Sequence, residues 1–416
     1  MAVYLGIDIN NKYTQISVLN TAKDEIVTLS QTGKDEVFSI PVCICKKKGS
    51  DEWLCGFDAE GYSADSSYAG VWDLFDAAVS NRQLVIDDEN TNGRLLFALY
   101  LQKLIMIAGK RFGFMTADKI IITSKELKPQ VIDLVEAIAE FLPAPKDKVL
   151  LKSYKETFYY YSLKQKPELK HHDIFLYNYE DDTLSLYRLE RNEKSVPKVV
   201  TVKEEVHEHF ATGLLGRPKK NEEKDAIFEE IVKEDVKGRL VSVIYLVGEG
   251  FDGDWMNKSV AAIVKDRHAY VGKNLYSRGA CYGCSVLEAS SEWPYIYLGE
   301  SKTKLNILLE VFNKNRKEMY TLISAGENWY ETSGRIDVIL DEGNEFDIIL
   351  VAPDGSETKR KNIVLNGLKE REDRTLRLEL YARPESQTEI YLKVTDKGFG
   401  EIFPSSGQVF EYRISI

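Results

Sequence analysis

The chain has 416 residues, of which 44% are hydrophobic, and carries 55 Lys and Arg against 66 Asp and Glu for a net charge of -11. That length exceeds what one hydrophobic core usually serves, so two or more domains are expected. The acidic balance argues against a broad footprint on nucleic-acid phosphates, and no window supplies the roughly 18 apolar residues of a membrane span, so neither nucleic acid nor membrane is expected as a partner. The opening Met1-Ala2-Val3-Tyr4-Leu5 lacks the basic and long apolar regions of a secretory signal, so a cytoplasmic location with reduced thiols is expected. Of five cysteines, Cys43 and Cys45 fall on one face of an expected strand, and Cys281 and Cys284 form a CxxC in an expected helix. Four thiolates would suit zinc, but the two pairs lie far apart in sequence. Buried, inert thiols and no structural metal are the expectation.

In chain order, Val3 to Ile9 and Tyr13 to Leu19 alternate as two strands joined by the polar link Asn10-Asn11-Lys12, which predicts a hairpin. Further strands are expected at Val37 to Cys45 and Glu52 to Phe57, a helix at Asn92 to Phe112, a strand at Lys119 to Thr123 and an amphipathic helix from Lys128 to Leu142. A second hairpin is expected over Asp173 to Glu190, turning at Glu180-Asp181-Asp182, then a helix at Lys224 to Lys237 and a buried strand at Val241 to Val247 that ends in Gly248-Glu249-Gly250-Phe251. Two hairpins, each followed by helices and strands, predict an internally duplicated α/β domain. From about Trp293 helix signatures nearly vanish and turn signals such as Pro353-Asp354-Gly355 and Asp396-Lys397-Gly398 recur, which predicts an all-β sandwich over residues 294 to 416 with a charged link at Leu368 to Asp373.

These pieces, in this order, resemble the actin-like ATPase superfamily, and within it most closely a divergent, bacterial-type member of the DnaK-type heat-shock chaperones. Gly6-Ile7-Asp8 through Thr14 stands where that family has its first phosphate hairpin. Ser39-Ile40-Pro41-Val42 and Leu54-Cys55-Gly56-Phe57-Asp58-Ala59 are similar to its following strands and turn. Ile120 to Thr123 resembles the strand before the connecting helices, and Tyr154-Lys155-Glu156-Thr157 the segment carrying Glu-Pro-Thr. Asn178 to Leu184 takes the place of the second phosphate hairpin, Tyr245 to Phe251 that of the adenosine motif, and Arg278-Gly279-Ala280 that of the closing helix. Tyr297-Leu298-Gly299 and Leu322 to Gly326 resemble the start of the chaperones' substrate domain. The resemblance implies a two-lobed, ribonuclease H-like nucleotidase domain at 1-293 with a reduced outer second lobe, since only about 65 residues separate the second hairpin from the adenosine motif. A β-sandwich without a helical lid would follow at 294-416.

The same resemblance implies ATP or ADP with magnesium as ligands. Asp8 would hold the water shell of the magnesium ion and Glu156 would orient a water; these are the candidate catalytic residues. Asn10, Asn11, Lys12, Tyr13, Asn178, Thr183, Gly248, Glu249, Gly250 and Phe251 would line the nucleotide. The chemistry is compromised at the second hairpin, where the family's Asp-x-Gly-Gly-Gly-Thr reads Asn178-Tyr179-Glu180-Asp181-Asp182-Thr183. Backbone amides of small residues cradle phosphate, whereas like charges about 4 Å apart repel by roughly 4 kcal/mol even at an effective dielectric near 20. A solvent-facing acidic turn is the expectation there, and Glu156, on a helix full of tyrosines, reads more readily as a surface or packing residue.

Weak or absent ATP hydrolysis is therefore expected, in a protein-interaction or nucleotide-responsive module whose sandwich holds a protein or peptide partner. An active chaperone-like ATPase and a nucleotide-dependent filament subunit are the alternatives. His207-Glu208-His209 offers alternating metal ligands, with an ordinary polar face as the expectation; Arg217-Pro218-Lys219-Lys220 reads as a basic turn diluted by Glu222 and Glu223.

Overall fold

A computed structural model describes residues 2–23, 25–34, 36–210, 221–314, 316–368 and 371–416, the side chain of His209 excepted; the basic turn at 217–220 lies outside them. The protein is mixed α/β and divides into two compact units, Met1–Glu190 with Val202–Trp293, and Arg191–Thr201 with Pro294–Ile416. Residues 191–201 thus group with the second unit.

In the first unit the strand Val3–Ile9 pairs antiparallel with Tyr13–Asn20 and parallel with Lys119–Ser124, which pairs parallel with Val149–Ser153; Glu25–Thr28 closes the other edge. A second sheet has the same order of connections. Asp173–Glu180 pairs antiparallel with Thr183–Asn192 and parallel with Val241–Val247, which pairs parallel with His268–Val271, while Lys198–Val206 lies beyond the hairpin. Both hairpins have tight turns, and in the second Asp181 and Asp182 take positive φ values of 51° and 58°, the left-handed pair that a two-residue hairpin turn requires.

Strands buried on both faces read as continuous apolar runs, as in Ile120-Ile121-Ile122 and Val241 to Val247. The helix Gly93–Phe112 begins where the Asn92 side chain accepts from the Leu95 amide and ends at left-handed Gly113, φ 83°. The amphipathic run after Lys128 forms Pro129–Ile138 and then a short 3-10 turn, Ala139–Phe141. The helix Leu275–Glu288 lies directly on Val3–Ile9, because Gly6 presents no side chain; a Cβ there would run into the backbone of Ser277 and Cys281.

That contact explains the CxxC. Cys281 Sγ donates to the carbonyls of Tyr4 and Ser17 and Cys284 Sγ to that of Leu5, in a different apolar cluster from Cys43 and Cys45. All five thiols are buried and free, and burial pushes Cys43 and Cys281 up to about 12 and Cys55 up to about 11. Thiolate chemistry is suppressed at these positions.

The second unit contains two four-stranded antiparallel sheets. One runs Arg316–Ile323, Asn306–Asn313, Glu345–Val351, Thr358–Val364, and the other Gly334–Leu340, Leu376–Pro384, Glu389–Asp396, Val409–Ser415. Alternate residues of both, among them Ile307, Leu309, Ile348, Leu350, Leu378, Leu380, Leu392 and Val394, share one core. Within this unit Lys198, Val199 and Val200 pair parallel with Tyr295, Ile296 and Tyr297.

Candidate functional site

The two hairpin turns of the first unit meet. Lys12, from the first turn, forms ion pairs with Asp181 of the second turn and with Glu249, the latter at 2.7 Å. Burial pulls the Lys12 ammonium down, but its bonds to Asp181 and Glu249 win and hold it above the ordinary lysine range. Glu249 Oε1 also accepts from the Asp181 amide at 3.4 Å.

Under this ion-pair bridge the turn amides are already engaged. Asn10 Oδ1 accepts from the backbone N–H of both Lys12 and Tyr13, each at 2.8 Å. These are the donors that would have to face a phosphate. An asparagine side chain folding back on its own turn offers them a permanent acceptor. Asn11 stays exposed, and Thr183 Oγ1 donates locally to the Asp181 carbonyl at 3.4 Å.

Deeper in, tyrosines and carboxyls interlock. Tyr154 donates to Asp8 Oδ1 at 2.6 Å, Tyr13 to Glu180 Oε1 at 2.9 Å, and Tyr276 to Asn178 Oδ1 at 2.9 Å. Asn178 reaches Glu180 Oε2 at 3.4 Å, and the rings of Tyr154 and Tyr276 stack with centroids 3.8 Å apart. Asp8 is 1% exposed; burial pushes its carboxyl well above the usual range, Tyr154 pulls it back, and Glu180 raises it further. Burial likewise raises Glu180, against the pull of its Tyr13 bond. A carboxyl whose charge burial disfavours and whose Oδ1 already accepts from Tyr154 is a poor anchor for a hydrated magnesium ion.

Glu180 corrects the expectation of a solvent-facing acidic turn. Only Asp181 and Asp182 form the turn proper; Glu180 is still in the strand, opposite Thr183 and on the same face as Asn178, and is 7% exposed. Glu156 is fully buried at the start of the helix Tyr154–Leu163. Its amide caps onto Ser153 and its carboxylate accepts from Tyr160 at 3.1 Å and pairs with Lys152 at 3.5 Å.

Where the resemblance puts the adenosine motif, Gly250 and Phe251 pack inward. A Cβ on Gly250 would enter the Tyr179 ring, and Phe251 stacks among Tyr179, Phe228 and Trp255. Gly248, φ 106°, abuts the Tyr179 carbonyl. The Gly250 carbonyl accepts from Lys224 Nζ at 2.9 Å and from Trp255 Nε1 at 3.1 Å. The Lys224 ammonium lies 3.8 Å from the Trp255 ring centre and 4.6 Å from that of Tyr179, and burial pulls it down to about 8.

Asp8, Asn10, Lys12, Tyr13, Asn178 and Glu249 are therefore brought together, while Glu156 bonds to Tyr160 and Lys152. Sequence reasoning missed Tyr154, Glu180 and Tyr276 as the groups between the hairpins, and Lys224 and Trp255 beside the glycines. The density of tyrosines after Ser153 was the one visible signal for the first group.

No curated protein matches the chain. Residues 302–416 match a domain of unknown function, DUF8552. Residues 25–300 match the C-terminal model of a family of unknown function, DUF5716, and over this majority of its length the chain belongs to that family.

Proposed function

We propose that the first unit is a duplicated actin-like fold that has exchanged its nucleotide for its own side chains, and that the protein acts as a pseudo-nucleotidase scaffold. The repeated strand order of its two sheets supports the fold reading. One observation carries the functional reading: the Asn10 side-chain Oδ1 holds the first turn's amides, while Tyr13, Tyr154 and Tyr276 bond to Glu180, Asp8 and Asn178 between the hairpins. A triphosphate would have to break these bonds and face the acidic side chains of Asp8, Glu180, Asp181 and Glu249, two of which already engage Lys12. Several kcal/mol of lost hydrogen bonding and added repulsion oppose it.

On this reading the Lys12 bridge keeps the hairpins closed without ligand, and the β-rich second unit holds a protein or peptide partner whether or not nucleotide is present. Thermal-shift titration of the full chain with ATP, ADP and magnesium tests this. Unchanged melting at millimolar nucleotide is expected, and a saturable rise at micromolar nucleotide would refute the scaffold in favour of a nucleotide-responsive switch.

A further inference from the structure

The His207-Glu208-His209 motif finds a different setting from the one its spacing suggests. Among the described side chains, the groups that converge with His207 are Glu205, two residues earlier, and Asp235, the last residue of the helix Asn221–Asp235. We propose that Glu205, His207 and Asp235 form a zinc site where the strand Lys198–Val206 ends beside that helix.

One ligand atom from each residue lies within 4.8 Å of the others. His207 Nε2 and Asp235 Oδ2 are 3.1 Å apart, close to the ~3.3 Å edge of a tetrahedron with bonds of about 2.0 Å. A cation could therefore settle between them with little movement.

The surroundings hold the ligands in place. The His207 backbone is pinned on both sides, its N–H donating 2.9 Å to the Leu184 carbonyl and its carbonyl accepting from Phe210 at 3.0 Å. Tyr177 donates to Asp235 Oδ2 at 2.8 Å, and Arg188 donates to Glu205 Oε2 at 2.8 Å, leaving Oε1 for a cation. Such outer partners orient metal ligands and are worth about 10–100-fold in affinity. His207 and Asp235 are each 7% exposed, whereas Glu205 is 47% exposed, so the site is closed on the protein side and open to solvent on the other.

One imidazole and two carboxylates make a nitrogen and oxygen set that suits zinc, whereas calcium and magnesium prefer oxygen alone. Three protein ligands would leave a position for water, the arrangement of zinc sites that polarise a bound molecule. The competing reading is a His207–Asp235 ion pair braced by Tyr177 with no affinity for metal.

Calorimetric titration of the EDTA-treated, dialysed full chain with zinc chloride separates the two. One equivalent of zinc at micromolar affinity or tighter is expected, with no binding of magnesium. Asp235→Asn and His207→Ala should weaken zinc by about 100-fold, and Tyr177→Phe and the exposed Glu205→Gln by about 10-fold. His171 and His172, adjacent histidines just before the strand Asp173–Glu180 and not members of this cluster, serve as the control: a His171→Ala, His172→Ala double variant should leave affinity unchanged. The proposal is overturned if the metal-free chain takes up no zinc, if Glu205→Gln binds like the parent, or if only the double variant loses binding. Glu205 is at the surface, so its variant decides the matter even if His207→Ala fails to fold.

Discussion

Replacing Tyr154 by Phe removes one oxygen from the centre of the candidate site and keeps the ring that stacks on Tyr276. Both members of the lost bond are buried, the separation is 2.6 Å and the acceptor is a carboxyl, so the bond belongs with the stronger class, worth about 1.5–3 kcal/mol. The cost depends on pH. Tyr154 is the group that pulls the Asp8 carboxyl down against burial and the Glu180 charge; without it Asp8 moves further up. A raised carboxyl in the folded state means that folding retains a proton the unfolded chain would release. The resulting penalty is absent below the ordinary carboxyl range and grows as pH rises through the folded value.

Tyr154→Phe should therefore cost more at pH 8 than at pH 4, up to ~1.5–3 kcal/mol, a fall in melting temperature of up to roughly 3–12 °C for a unit of this size. Unfolding followed at both pH values, for Tyr154→Phe, Asp8→Asn and the double variant, checks this. Asp8→Asn alone should stabilise the protein at pH 8, and the cycle should return a coupling of at least ~1 kcal/mol. A loss below ~0.5 kcal/mol at pH 8, or one equal at both pH values, would refute the reasoning.

Gly6→Ala places a Cβ against the backbone of Ser277 and Cys281, which cannot yield as a side chain can, so a loss of about 3 kcal/mol or insoluble expression is expected on denaturant titration. Asp225 accepts from the amides of Asn257, Lys258 and Ser259 and from the Ser259 hydroxyl, and these bonds hold its carboxyl below the usual range although burial opposes them. Asp225→Ala should cost ~2 kcal/mol at neutral pH, measured by chemical denaturation, and the difference should fade as pH drops through the depressed carboxyl value. Lys224, brought down to about 8 by burial, penalises the folded state while charged. Lys224→Met should match or exceed the parent's melting temperature at pH 7, with any advantage narrowing by pH 9.5, because Trp255 still satisfies the Gly250 carbonyl.

Much of the first unit was legible because its signals are local. Asn92 followed by a long apolar pattern marks a capped helix, and seven consecutive buried residues from Val241 mark an interior strand. The site was less so. Whether Glu180 faces water depends on which two residues make the turn, and Asp181-Asp182 rather than Glu180-Asp181 adopt the left-handed pair, which turns Glu180 inward onto Tyr13. A one-residue difference reverses the face of every neighbour in a strand. The juxtaposition of Tyr154, Tyr276 and Asp8 joins segments well over a hundred residues apart, and no local periodicity encodes it. The transfer of residues 191–201 to the second unit was hidden for a similar reason, since their pairing partner at Tyr295–Tyr297 lies far along the chain.

The account rests on the space between the two hairpins being filled by the protein's own groups. Isothermal titration of the full chain with magnesium-ATP, run to millimolar nucleotide, reads this directly. No saturable heat is the expected result. Stoichiometric binding at micromolar concentration, lost on Lys12→Ala, would mean that Asn10 and the three tyrosines yield to a triphosphate and that the site is a working nucleotide pocket.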